Sequence, residues 1–279
     1  MSESNLAKPR SRASRFDFGL RQELVDAQFI DAAAEGATSQ PTAGGGEQFR
    51  DRFTTACLTV LQGIHDERNL RTHDSLVIGT EYGNAEAIGR LQREAGPQGR
   101  LLSAQYFPHA TSSSAAAFGS IATGATGRNV TVSSGRTTPI VAAWQAMLAL
   151  KRGRSQRSHL LVGDVYTPEA MRDLVSRRGG VTANSALFRV SLEQGTEFEA
   201  KFDFGSKTSP KPEGGSRVDL PDGSVVRDEG EPNPAIAARL FWQSAIRMTP
   251  SESVSISFFE REGRFASLAV TRNDDGSNT

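Results

Sequence analysis

Short apolar runs alternate along the chain with segments whose apolar residues recur at helical spacing. In 49–64, the residues Phe53, Ala56, Cys57, Val60, Leu61 and Ile64 fall on one face of a helix. The run LVIG (76–79) predicts a buried strand, and its Gly-containing end leads into a helix near 84–94. A helix of unusually small residues follows at 112–124, then a β-branched strand, NVTVSS (129–134). A tight turn at Gly135-Arg136 passes into a helix over about 138–151, with Thr138 as its cap and Pro139 in its first turn. HLLVG (159–163) predicts another buried strand, and 167–178 a helix capped by Thr167 with Pro168 at its start.

Beyond residue 184 the pattern changes. ALFRVSLE (186–193) and EFEAKFDF (197–204) predict two strands joined by a Gly-containing turn as a hairpin. The stretch 205–234 has little apolar content and predicts a long surface loop, with strand hints only in RVDL and SVVR around Pro-Asp-Gly. A helix near 234–246 and two strands, SVSISFFE and RFASLAVT, close the sequence. Strand–helix alternation over 76–178 implies an α/β fold with a mainly parallel mixed sheet, to which the later strands add antiparallel edges. The expectation is a disordered leader over 1–15, one domain over 16–279, and a flexible stretch at 33–47 within it.

Composition narrows the function classes. The 279 residues carry 32 Lys plus Arg and 32 Asp plus Glu, so zero net charge gives no global pull toward nucleic acid or an anionic membrane. A single cysteine, Cys57, leaves no internal disulfide or multi-cysteine zinc site, and on the apolar face of a helix it is expected to be a buried, inert thiol. The four histidines, His65, His73, His109 and His159, show no metal-ligand spacing. There is neither an apolar run of membrane-spanning length nor a hydrophobic N-terminal stretch, so a cytoplasmic protein is expected.

The strand–turn–helix at 129–151 is where the chemistry is expected. Such a turn presents one side chain beside a helix N-terminus, whose amide dipoles lower a thiol's pKa and stabilise an oxyanion. Here the segment Asn129-Val130-Thr131-Val132-Ser133-Ser134-Gly135-Arg136-Thr137-Thr138-Pro139 resembles the nucleophile segment of the β-ketoacyl synthases, which runs roughly Asn-Leu-Thr-Val-Ser-Thr-Ala-Cys-Ala-Ser-Gly. Arg136 falls on the cysteine. LVIGTEYGNAEAIGRL, FPHATSSSAAAFGSIATGATGRN and HLLVGDVYTPE resemble the family's flanking segments, so the clearest resemblance covers 70–178.

The resemblance implies a thiolase-like fold, shorter than a full synthase, and it also implies the loss of catalysis. An arginine cannot accept an acyl group. Active synthases carry further histidines in their second half, whereas this chain has none after His159. It is most similar to the short chain-length-factor subunits of pigment and polyene synthases, which lack the cysteine and pair with a catalytic synthase. That similarity implies a heterodimer that shapes the acyl pocket, with no cofactor of its own and phosphopantetheine on a carrier protein. Pocket candidates are Arg136, Ser134, Gly135, Thr137, Phe107 and His109; interface candidates are Asn129, Val130, Thr131, Val132, Ser133 and Phe118.

Other readings stand beside these. Arg136 is a plain turn arginine if the register fails; otherwise it plugs a vestigial pocket or bonds across a subunit boundary. Ser133, Ser134 and Thr137 have no activating base nearby in sequence and are expected to serve as caps. His109 is equally a loop histidine. The cations Lys151, Arg152, Arg154 and Arg157 either complement a helix C-terminus or dock an acidic carrier protein. A diverged thiolase-fold acyltransferase or decarboxylase and a homodimeric acyl-binding scaffold are the competing functions.

Overall fold

The computed structural model describes residues 14–20, 26–29, 49–66, 73–95, 104–206, 215–228, 232–260 and 263–274. Its strands are β1 (Ser14–Leu20), β2 (Asp26–Phe29), β3 (Ser75–Gly79), β4 (Asn129–Val132), β5 (Arg157–Asp164), β6 (Ala186–Ser206), β7 (Gly215–Asp219), β8 (Val225–Asp228), β9 (Ser253–Phe259) and β10 (Arg264–Arg272). The helices are α1 (Arg52–Asp66), α2 (Ala85–Ala95), α3 (Phe107–Ala110), α4 (Ser114–Thr123), α5 (Thr138–Lys151), α6 (Pro168–Arg178) and α7 (Pro234–Arg247). All the strands join one sheet, ordered β4–β3–β5–β6–β10–β9–β7–β8, with β1 and β2 also pairing along β6.

The architecture is α/β with a mixed sheet, but the parallel part is smaller than the alternation implied. Only β3 pairs parallel, with β4 and with β5; every other pairing is antiparallel. After α6 the chain returns against β5 in the opposite direction, and the neighbouring strands beyond alternate in direction.

Strand β6 is the backbone of the molecule and replaces the expected hairpin. It runs 21 residues without reversing. Its first half pairs with β5 from Asp164↔Ala186 to Arg157↔Glu193, and its second half pairs with β10. The Gly-containing segment between the halves is a bend rather than a turn. There β1 slips register, so that Gly19 faces Glu193 while Phe18 faces Phe198. Gly195 is needed at the bend because a Cβ on it would lie 2.9 Å from the backbone nitrogen of Gly19.

Three layers follow from which faces are apolar. Helices α5 and α7 lie in a core shared by both halves of the sheet, where Ile140, Met147, Phe241 and Trp242 meet Phe18, Val162, Phe188, Phe202 and Leu268. Trp242 packs edge-on against both Phe18 (6.2 Å) and Phe241 (4.9 Å). On the opposite face of β3 and β5, α1 and α4 contribute Phe53, Cys57, Leu61 and Ala115 to a second cluster with Leu76, Ile78 and Leu161. All eight β5 residues are buried, which explains its unbroken apolar run. Complete burial of a side chain such as Phe241 is worth roughly 2–3 kcal/mol.

The stretch 205–234 is not simply a surface loop. It contains β7 and β8, and β7 lies beside β9 with Val218 in the core. The Pro-Asp-Gly signal makes the connecting turn: Asp222 Oδ1 accepts from Ser224 N, and Gly223 has φ +83. Its low apolar content reflects β8, an edge strand with mostly exposed residues. At the N-terminus, Ser14 and Arg15 already belong to β1, correcting the expected leader; residues 1–13 and the stretch 33–47 lie outside the described residues.

Candidate functional site

The site is the turn from β4 into α5. Strand β4 lies parallel to β3, and Thr80 N donates to Val132 O at 3.0 Å where the two strands end. Within the turn Ser134 N donates to Thr138 Oγ1 (2.8 Å), Thr138 Oγ1 donates to Gly135 O (2.7 Å), and Thr137 Oγ1 donates to Ser134 O (2.8 Å). Thr138 therefore pins the turn from inside the first helical turn, while Thr137 occupies the cap position without a side-chain cap bond. Gly135 has φ +58, and a Cβ there would lie 2.9 Å from Glu260 Oε1, so glycine fits on both counts. The Thr137 and Thr138 hydroxyls are thus committed to the backbone of the turn.

Arg136 is half-buried and lines a cleft of about 270 Å³, including its open mouth, with Glu81, Ser216, Asp228, Pro232, Asn233, Pro234 and Phe258. Burial first, then the neighbouring Arg178, disfavours its charge, while Glu81 and Asp228 support it. Glu81 is fixed from two directions. Its carboxylate accepts from Arg178 Nη2 at 3.0 Å, and its backbone nitrogen donates to Asp164 Oδ1 at 3.0 Å.

Asp164, at the end of β5, is fully buried and is the anchor of this region. Its Oδ1 accepts from Thr80 Oγ1 (2.5 Å), Glu81 N (3.0 Å) and Tyr82 N (2.9 Å). Burial nevertheless pushes its carboxyl up to about 7. Asn233 completes the anchor: its Nδ2 donates to the backbone oxygens of Asp164 (3.1 Å) and Asn184 (2.8 Å), and its Oδ1 accepts from Ala235 N to cap α7. Sequence reasoning singled out none of Glu81, Asp164, Asp228 or Asn233. The Asn-Pro start of α7 and the acidic residue ending an apolar strand were legible signals; Glu81 and Asp228 offered none.

The remaining candidates are scattered. Phe107 and His109 do not line the Arg136 cleft; they sit on α3, which packs on α2 and α4. His109 stacks on Phe118 with centroids 4.9 Å apart, and burial lowers its pKa. Asn129 and Ser133 are exposed, Val130 and Thr131 half-buried, and Val132 buried in the core. Among the described residues β4 pairs only with β3, so its other edge is open. Beside it, Ile121 on α4 is 78% exposed.

Of the four expected docking cations, Lys151, Arg152 and Arg154 are exposed at the end of α5, but Arg157 is not. It is 4% exposed and lies 3.9 Å from both Asp74 and Glu193, because β5 begins inside the sheet. The three exposed cations lie at the opposite end of α5 from Arg136, about 20 Å along a 14-residue helix.

A second constellation emerges only in three dimensions. His159 Nδ1 is 2.6 Å from Ser191 Oγ and its Nε2 is 3.0 Å from Asp74 Oδ2, the residue types of a hydrolytic triad but with the roles of the two ring nitrogens exchanged. His159 and Ser191 are directly opposite on β5 and β6, and all three side chains are sealed from solvent. No substrate reaches such a serine, so the set is a structural network. Cys57 is likewise fully buried, and desolvation pushes its thiol up. Among the described residues there is no cluster of three metal-ligating side chains, and no helix long and apolar enough to cross a membrane.

The central α5 and α7 shared by the two halves of the sheet, with a strand–turn–helix elbow at the edge of one half, give the chain the thiolase-like fold of the ketosynthases. Solved structures match over nearly the whole chain. It is similar to a chain of the ishigamide ketosynthase/chain length factor (14% identity, 89% of this chain and 91% of that chain, TM-score 0.59). It is similar also to one in the ketosynthase ApeO in complex with its chain length factor ApeC from Xenorhabdus doucetiae (12%, 92% and 99%, TM-score 0.58). A β-ketoacyl synthase from Burkholderia phymatum matches as well (10%, 95% and 100%, TM-score 0.60). At these identities the likeness is one of fold. No family model and no curated protein matches the sequence.

Proposed function

We propose that this chain is a non-catalytic ketosynthase-like subunit, a chain length factor, that pairs with a catalytic β-ketoacyl synthase and shapes the space available to the growing acyl chain. The observation that carries this reading is Arg136 at the β4–α5 elbow, where the resembled synthases mount their cysteine. A permanently charged guanidinium there accepts no acyl group. The Thr137 and Thr138 hydroxyls are tied to the backbone, and the sequence has no histidine after His159. Pairing through the open edge of β4 and the neighbouring α4 is supported by the unpaired strand edge and by exposed Ile121. An obligate interface of this kind buries more than about 2,000 Å². The reading requires no cofactor on this chain; phosphopantetheine resides on an acidic carrier protein, with Lys151, Arg152 and Arg154 as a dock for it.

The test is co-expression with candidate full-length synthases carrying the cysteine and histidines, followed by affinity purification and condensation assays. A stoichiometric complex that condenses acyl and malonyl thioesters, while the isolated chain does not, is the expected result. Thioester condensation by the chain alone, or by its Arg136→Cys variant alone, overturns it.

A further inference from the structure

We propose that Arg136, Arg178 and Tyr166 form a binding site for a small organic carboxylate at the β4–α5 elbow, with the open cleft admitting the rest of the molecule. Hydrogen-bond donors collect around this elbow without acceptors. Among the described residues the Arg136 side chain makes no hydrogen bond or ion pair. Arg178 commits Nη2 to Glu81 at 3.0 Å, but its Nη1 is buried without a partner. The Tyr166 hydroxyl is also buried without one, on a residue 7% exposed. So is the hydroxyl of Tyr82, whose ring centroid lies 5.7 Å from that of Tyr166. Buried donors left in this state are costly and rare. The groups are within electrostatic range of one another: Arg178 and Tyr166 both act on Arg136, and Arg178 acts on both tyrosines. Glu81 lines the cleft beside Arg136 and joins it to Arg178.

The electrostatics select the ligand. Burial and Arg178 both disfavour the charge on Arg136, and a bound anion offsets both. Burial pushes the Tyr166 phenol up, so it remains a donor at any working pH. A guanidinium fork matches the two oxygens of a carboxylate in plane. Glu81 and Asp228 also line the cleft, and Glu81 is already held by Arg178 and lies 3.7 Å from Arg177. A dianion such as sulfate would meet both of these carboxylates, whereas a single negative charge is met by the two guanidiniums. The site stands on this chain's own residues. Failure to find a synthase partner would leave it intact, and failure to bind carboxylates would leave the pairing intact.

The full chain is titrated at neutral pH with sodium propionate, sodium chloride and sodium sulfate at equal ionic strength, and the Tm is followed. The expected result is a saturable rise with propionate, by mass action, that chloride and sulfate do not produce. Arg136→Gln should abolish the saturable rise, and Tyr166→Phe, which removes only the hydroxyl, should weaken binding roughly fivefold or more. A response equal to that of chloride, or one unchanged by Arg136→Gln, overturns the site. An Arg136-dependent response of the same size to sulfate overturns its assignment to a carboxylate. If Arg136→Gln does not fold, Arg136→Lys keeps the charge and loses the fork. Weakened propionate binding by that variant supports the site, and undiminished binding overturns it.

Discussion

His159 and Asp74 meet inside the fold, with imidazole Nε2 3.0 Å from the carboxylate Oδ2 and neither side chain open to solvent. Desolvation lowers the imidazole's pKa, and the hydrogen bond and charge of Asp74 offset this only in part, with Arg157 and Arg189 opposing protonation. A histidine depressed in the folded state takes up its proton preferentially when unfolded. Its contribution to stability is present above the unfolded value near 6.5 and is lost as pH falls through it. In denaturant titrations between about pH 7.5 and pH 5, wild type should lose up to about 1.4 kcal/mol per pH unit relative to His159→Asn. Parallel pH profiles for the two proteins would show that His159 is not held neutral.

Asp164 has the opposite sign. Its folded pKa, about 7, lies above the unfolded 3.8, so its stabilising contribution is complete below about 3.8 and is lost as pH rises to about 7. Three donors converge on Oδ1, an arrangement that an amide oxygen reproduces, and Glu81 N lies also 3.3 Å from Oδ2. Asp164→Asn, which mimics the protonated carboxyl, should therefore match wild type near pH 4, flatten the profile between pH 4 and 7, and be the more stable of the two at pH 8. Asp164→Ala strands those donors and should cost at least about 2 kcal/mol. The comparison is read from the unfolding free energies of the three proteins.

Val132 and Ile121 separate folding from assembly. Val132 is part of the chain's own core, so Val132→Glu should unfold the subunit and says nothing of a partner. Ile121→Glu, on an exposed helix face, should change the stability of the isolated chain by no more than about 0.5 kcal/mol. It should nevertheless reduce recovery of the complex with a synthase by an order of magnitude or more. Undiminished co-purification of Ile121→Glu would move the interface away from α4.

Gly163 has φ +142 within β5, and a Cβ there would lie 2.1 Å from Ala186 O. Backbone, not a side chain, blocks the space, so nothing can step aside cheaply. Gly163→Ala should destabilise the chain by about 3 kcal/mol or more and shift thermal unfolding downward. A near-native Tm would mean that β5 and β6 separate there easily.

Local elements were legible because their information is local. The apolar face of α1, the buried runs of β3 and β5, and the Thr167 cap of α6, which accepts from Ala170 N, all follow from periodicity and capping chemistry. So does the elbow from β4 to α5, which puts Arg136 beside a helix start. The single long β6 was not legible. A Gly between two strand patterns reads as a turn, and only the competing partners β5, β10 and β1 straighten it.

The sequence by itself determined the α/β character and the charge at the elbow, because residue type and spacing state which face is apolar and which group is ionised. Tertiary structure alone decided what each face and charge meets. It buried Arg157 near Asp74 and Glu193, joined His159 to Ser191, and brought Glu81 and Asp228 to the Arg136 cleft. Among the described residues it also left the outer edge of β4 unpaired. The physical reason is range. Hydrophobic period is written every few residues, whereas a buried charge is satisfied by whichever distant strand the fold carries past it.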